Sequence, residues 1–253
     1  MTVAKKIVLC MLLLLSISLT CYQSSIGLDT GDEALYLYQT SGIIGDQDIY
    51  ITGTAVRIEN KTSGLISIAR APSWKVTTFH NGSKSICALP LQSFHGYIPE
   101  KAFLETGAMW NTIPFEKSDS KEIAGTASTV FTTTGAYTEK QLKDWQREFA
   151  DSKFIKSARY CVAEKLAANQ KARSVLLRFY SLPDKGGLPL EFKYHDLGGN
   201  FHTGLITSSQ RSVKADSVSF EIPKDYKAVP NNAELFKVAT TSKVKRNKRR
   251  PLL

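Results

Sequence analysis

Gly64-Leu65-Ile66-Ser67-Ile68-Ala69-Arg70-Ala71-Pro72-Ser73-Trp74-Lys75-Val76 is the stretch on which the reading of the fold turns. Ile66 and Ile68 flank Ser67, and Trp74 and Val76 flank Lys75, so each side of the Ala71-Pro72-Ser73 turn repeats in steps of two, the period of a half-buried strand. The same pattern runs outward in both directions. Ile49 and Ile51 flank Tyr50, Val56 and Ile58 flank Arg57, and Gly45-Asp46, Gly53, Lys61 to Gly64 and Asn81-Gly82 supply turns between them. Short strands joined by tight turns pair antiparallel, because a parallel partner needs a crossover of about a dozen residues. The first half is a meander.

Farther along, Leu89 to Ser120 is looser, with three prolines and five aromatics that suit a covering loop, and Lys121 to Thr134 resumes strand character. The period then changes. Thr138 and Gln141 form a capping box ahead of Leu142, Trp145 and Phe149, predicting an amphipathic helix from about Glu139 to Ala150. Phe154 to Ala163 is ambiguous. Asn169 caps a second helix whose stripe is Ala172, Val175, Leu176 and Phe179 and which Pro183 stops. Leu188, Leu190, Phe192 and Tyr194 alternate again, Phe201 to Ser208 follows a Gly-Gly-Asn turn, and Val218, Phe220 and Ile222 make a last strand. No linker divides residues 29–236, so the expectation is one mainly β (α+β) domain: a curved, open antiparallel half-barrel of about eight to eleven strands covered by two helices.

At 42% hydrophobic and 22% charged residues the composition is that of a globular chain, and sixteen Gly without a triplet period exclude a collagen-like fibre. One apolar run, Ile7 to Leu19 behind Lys5-Lys6, excludes a polytopic membrane protein and reads within residues 1–25 as a cleaved secretory signal. Cleavage before Cys21 or near Ser25 fits the small residues there. A lipid anchor on Cys21 is the competing reading, set behind secretion because Ser18-Leu19-Thr20 fits a lipoprotein box poorly. Cys87 and Cys161 are then the cysteines left inside the domain, and an oxidising compartment favours one bridge between them over two buried free thiols. Closing that loop of about 75 residues would add about 4 kcal/mol in the chain-entropy model.

Of the formal charge of +10, two units sit at Lys5 and Lys6 and seven in the acid-free end from Lys237, leaving +1 for the body. A specific nucleic-acid face is therefore not expected. Residues 237–253 read as a disordered basic tail in which Lys243, Lys245, Arg246, Lys248, Arg249 and Arg250 suit an anionic envelope surface, about 1 kcal/mol per charge near an anionic membrane. The alternative is a solvated end.

Chemistry has little support. His80, His95, His195 and His202 form no metal-binding pair, and no nucleophile elbow, P-loop or dinucleotide fingerprint is present. His195 and Asp196 are adjacent, so on a strand they point to opposite faces. The expectation is no enzyme, no cofactor and no metal. A curved sheet only partly covered by helices leaves an apolar hollow, and alternation places Ile49, Ile51, Ile66, Ile68, Trp74, Val76, Phe192 and Tyr194 on it, with a fully packed core as the competing reading.

The stretch from Gly64 to Val76 resembles the strand, Arg-Pro turn and aromatic-bearing strand of the LolA/LolB-like superfamily of bacterial periplasmic lipoprotein carriers. Asn81-Gly82-Ser83, Ile123-Ala124-Gly125 and the span from Leu188-Pro189-Leu190 to Phe220-Glu221-Ile222-Pro223 follow in that family's order. The resemblance implies an open half-barrel lidded by helices that shields acyl chains. It makes the expected function that of a secreted or periplasmic carrier for a lipid or acylated protein. The alternative is a structural or interaction protein of the cell envelope whose core is filled by its own side chains.

Overall fold

The computed structural model describes residues 32–97, 113–133, 155–166, 168–196 and 198–237, with Thr138, Lys140, Lys143, Asp144 and Ala239. The chain forms one open, curved sheet of twelve strands. They are β1 (Glu33–Ser41), β2 (Gly45–Ile51), β3 (Ala55–Asn60), β4 (Leu65–Arg70), β5 (Val76–His80), β6 (Ser85–Leu89), β7 (Phe115–Ile123), β8 (Thr126–Thr133), β9 (Ile155–Ala163), β10 (Leu188–Asp196), β11 (Phe201–Lys214) and β12 (Lys227–Ala228). Their spatial order is β12-β6-β5-β4-β3-β2-β1-β11-β10-β9-β8-β7. Two meanders therefore stand side by side, joined where β11 returns to pair with β1 from Glu33↔Lys214 to Thr40↔Ile206. Every pairing is antiparallel except the two-residue β12 on β6.

Helix α1 (Gln170–Tyr180) begins where the sequence places it, with the Asn169 side chain accepting from the Lys171 amide. It ends earlier than Pro183, at Ser181, whose left-handed φ of 54° breaks the helix. Its stripe, Ala172, Val175, Leu176 and Phe179, is at most 1% exposed and packs on Leu35, Leu37, Ile49, Ile51, Val56 and Ile58. Of the expected earlier helix, Lys140, Lys143 and Asp144 are helical and exposed, while its apolar stripe lies outside the described residues.

Several expectations are corrected. Trp74 is in a turn, with φ 51°, and β5 starts two residues later. Lys121 to Thr133 has the expected strand character, divided between β7 and β8 by a two-residue turn in which Ala124 and Gly125 both take positive φ. Val218 to Ile222 is no strand: it crosses the face of the meander, where Phe220 and Tyr226 cover Ile66, Ile68 and Phe79 and the Ser219 carbonyl accepts from Arg57. A helical segment at residues 232–237 was not expected at all. It is capped by Asn231 Oδ1 on the Glu234 amide, and Leu235 and Ala239 are buried against Leu65 and Cys87, so the ordered chain runs past 236.

Candidate functional site

Alternation along β3 to β5 fixes which side each residue takes. Val56, Ile58, Ala69 and Val76 face α1, and Ser67, two residues from Ala69, shares that face, with its hydroxyl on Thr78 Oγ1 at 2.8 Å. Ile66 and Ile68 must therefore point the other way. They do, beneath Phe220 and Tyr226, so placing them in the hollow is corrected. Ile49, Ile51, Trp74 and Val76 are on the helix-covered face but form a packed core with α1. Phe192 and Tyr194 belong to a different cluster, with Phe115, Tyr160, Val162 and Leu205. The eight expected residues thus fall into three places rather than one trough.

The disulfide expectation is also corrected. Cys87 and Cys161 are both free and buried, the first against Leu65 and Leu235, the second against Val130, Ala163 and Leu190. In the sheet order β6 and β9 are separated by seven strands, which puts the thiols outside bridging reach. Burial pushes both thiols up, Glu191 adding to the effect at Cys161, so neither is primed as a thiolate nucleophile.

The cluster over β7–β11 is the part of the sheet that α1's stripe does not fill. From the helix end it receives Tyr180, which also touches the first cluster, and Leu182. It is dominated by aromatic rings. Tyr160 stands edge-on to Phe115 at 6.2 Å and to Phe192 at 5.8 Å, and Phe192 stacks on Tyr194 at 5.6 Å. Lys185, in the loop after α1, holds its ammonium over Phe115 and Phe131 at 5.4 and 5.8 Å.

Within this cluster the Tyr160 hydroxyl is fully buried and has no hydrogen-bond partner among the described residues. An orphan of that kind costs about 1–3 kcal/mol, and native interiors rarely keep one without a use. Burial pushes its phenol far above the ordinary value, with Asp184 adding to the push and Arg173 opposing it, so it is a neutral donor at any physiological pH. Tyr180, partly buried beside the same cluster, differs by having a partner, Gln47 Oε1 at 3.0 Å. The sequence reading missed Tyr160 along with the ambiguous segment that holds it. Its signal was the alternation of Ala158, Tyr160 and Val162.

Elsewhere polar contacts are structural. His80 caps its turn through Ser83 at 2.9 Å, and Asp196 pairs with His202 across the β10–β11 hairpin at 2.8 Å rather than with its neighbour His195. Among the described residues no group of three or more His, Cys, Asp or Glu is placed to hold a metal ion, and no helix is long and apolar enough to cross a membrane. The signal segment and Lys243 to Arg250 lie outside the described residues.

No family model matches the sequence, and no curated protein matches it. Among solved structures the chain is similar to an uncharacterized conserved protein from Thermus thermophilus, with 9% identity and a TM-score of 0.42 over 80% of this chain and 92% of that one. It is also similar to a LolA superfamily protein from Nitrosomonas europaea, with 10% identity and a TM-score of 0.21 over 67% of this chain and 66% of that one. The second is a distant likeness to one member of that superfamily. The class is set by the molecule's own architecture: an open, curved, almost wholly antiparallel sheet with helical cover.

Proposed function

We propose that the chain is a secreted or periplasmic, non-enzymatic binding protein that takes an acyl-chain ligand against the aromatic half of its sheet. The observation that carries this is the Tyr160 hydroxyl, buried among rings with no hydrogen-bond partner among the described residues. A cluster of apolar walls with one unspent donor is what a hydrophobic ligand with a single polar end requires. The aliphatic half is not part of the site, because α1 already fills it. Lipid extraction and native mass spectrometry of protein purified from its own envelope should return stoichiometric lipid. Phe131, at the partly exposed margin of the cluster, supplies the control. Phe131→Glu should weaken binding of a fluorescent fatty acid at least about tenfold while leaving the melting temperature within a few degrees.

The second reading is a structural or interaction protein of the envelope. The closely packed contact of α1 with the first cluster favours it, since that half of the molecule is self-filled. Protein that returns no lipid and ignores the fluorescent probe would select it. In either reading Lys243, Lys245, Arg246, Lys248, Arg249 and Arg250 would attach the chain to an anionic surface. Truncating residues 240–253 should then abolish salt-sensitive binding to anionic vesicles, and unchanged binding removes the tail from the account.

A further inference from the structure

We propose that one end of the sheet is a membrane-docking edge, at which Ile43 and Phe201 enter the headgroup boundary of an anionic bilayer. This edge is independent of the carrier reading and serves whether or not the aromatic half holds a ligand. Ile43 and Phe201 are the two most exposed large apolar side chains among the described residues, at 69% and 58%. The fold brings them together. Ile43 is in the β1–β2 turn and Phe201 opens β11 after the β10–β11 turn, and the Gly42 amide donates to the Thr203 carbonyl at 3.0 Å. A Cβ at Gly42 would lie 2.8 Å from that oxygen, so glycine is what lets the two turns meet.

Both tips are held in place. Ser41 Oγ accepts from the Ile43 amide at 3.2 Å, and the Ile44 carbonyl accepts from Asn60 Nδ2 at 2.6 Å. Asp196 Oδ1 accepts from the Asn200 amide at 2.9 Å, just before Phe201. Two neighbouring apolar side chains fixed in water are what a lipid interface would bury, and tips that project from turns suit a deformable surface better than the pockets of a protein partner. The charges at this end agree. Its carboxylates are occupied, Asp46 accepting from Thr40, and Asp196 from Asn200 while it pairs with His202. The β3–β4 turn is tied here through the Lys61 amide on the Asp46 carbonyl at 2.9 Å, and Leu65 begins β4 just beyond it. Ala239 is buried in the cluster with Leu65, so the basic residues from Lys243 to Arg250 follow from the same end of the sheet. An apolar insertion and a polybasic segment are the two signals that stable interfacial attachment takes.

Co-sedimentation of the full chain with vesicles of equimolar phosphatidylglycerol and phosphatidylcholine tests the proposal. Ile43→Ser combined with Phe201→Ser should weaken binding at least about tenfold by withdrawing two apolar side chains from the interface. The salt dependence of what remains should be unchanged, because no charge is altered. Both positions are exposed, so the melting temperature should stay within a few degrees and fluorescent fatty-acid binding should be unaltered, which keeps this test apart from that of the carrier. Phe201→Trp gives a direct readout: its added emission should shift to the blue with vesicles and be quenched by brominated lipid. Vesicle binding by the double variant equal to that of the unaltered chain overturns the docking edge, and so does Phe201→Trp emission that stays at its aqueous maximum. Lipid-free dimers that the double variant dissolves would assign the tips to a second copy of the chain and overturn it as well.

Discussion

Glu191, on β10, has a side chain only 6% exposed, yet Lys193 Nζ lies 2.6 Å from one oxygen and Lys121 Nζ 3.4 Å from the other. Burial pulls its carboxyl up; the two ammonium groups outweigh that and hold it below its ordinary 4.5. A carboxyl depressed on folding contributes stability above its unfolded value and loses it as pH falls through the folded one. Glu191→Gln should therefore cost about 1–3 kcal/mol in urea denaturation at pH 7, with the gap closing as the pH drops below the carboxylate range. Asp196, at the hairpin end of the same strand, is half-buried. His202 and then Asn200 hold its carboxyl at about 2, against 3.8 when free, so its contribution is complete above pH 4 and disappears as pH falls through 2. In an NMR titration His202→Ala should move that midpoint upward. At this scale the sequence shows a period without its sign. In Leu65-Ile66-Ser67-Ile68-Ala69 the greasier pair faces away from α1, because Phe220 and Tyr226 cover it and Ser67 finds Thr78 on the other side. No count of apolar residues reveals a cover supplied from about 150 residues away.

Among the elements, α1 was legible in nearly every respect because its signals are local: the Asn169 cap, the stripe from Ala172 to Phe179, and a stop. Its end was misplaced because the stop is a backbone conformation rather than a proline. Ser181 takes φ 54° and buries an unpartnered hydroxyl, so Ser181→Gly relieves both and should stabilise by about 1 kcal/mol, read as a higher melting temperature. Asn169→Ala should cost about 1 kcal/mol by leaving the Lys171 amide unanswered. The helix at 232–237 was missed although Asn231-Asn232-Ala233-Glu234 has a cap and an acidic third position. Among the described residues its buried apolar positions are Leu235 and Ala239, too few for a periodicity to declare itself. Val218 to Ile222 shows the opposite failure. Alternation there reflects one side pressed on the sheet, which a crossing strap satisfies as well as a strand does.

Across the whole molecule, the step no local pattern contains is the return of β11 to β1, which joins the two meanders into one sheet. Polar side chains add to the β1–β11 ladder at that seam. Gln39 is fully buried on β1 and donates from Nε2 to the Pro189 carbonyl of β10 and to Thr207 Oγ1 of β11, both at 2.9 Å, while Thr207 donates to the Leu190 carbonyl at 2.8 Å. Register shifts fall beside it, at Tyr38/Gln39 and at Pro189/Glu191, where the interrupted ladder would otherwise strand backbone acceptors. Tyr180 adds a second tie, packing on both large clusters and donating to Gln47 Oε1. If these ties make the halves one cooperative unit, the slowest-exchanging amides of β3 and of β9 should report the same opening free energy. Gln39→Ala should then lower both together, by about 1–3 kcal/mol for the buried partners it leaves unpaired. A drop confined to one strand would mean instead that the meander beneath α1 and the aromatic half fold as separate units, and that ligand in the second would leave the opening of the first unchanged.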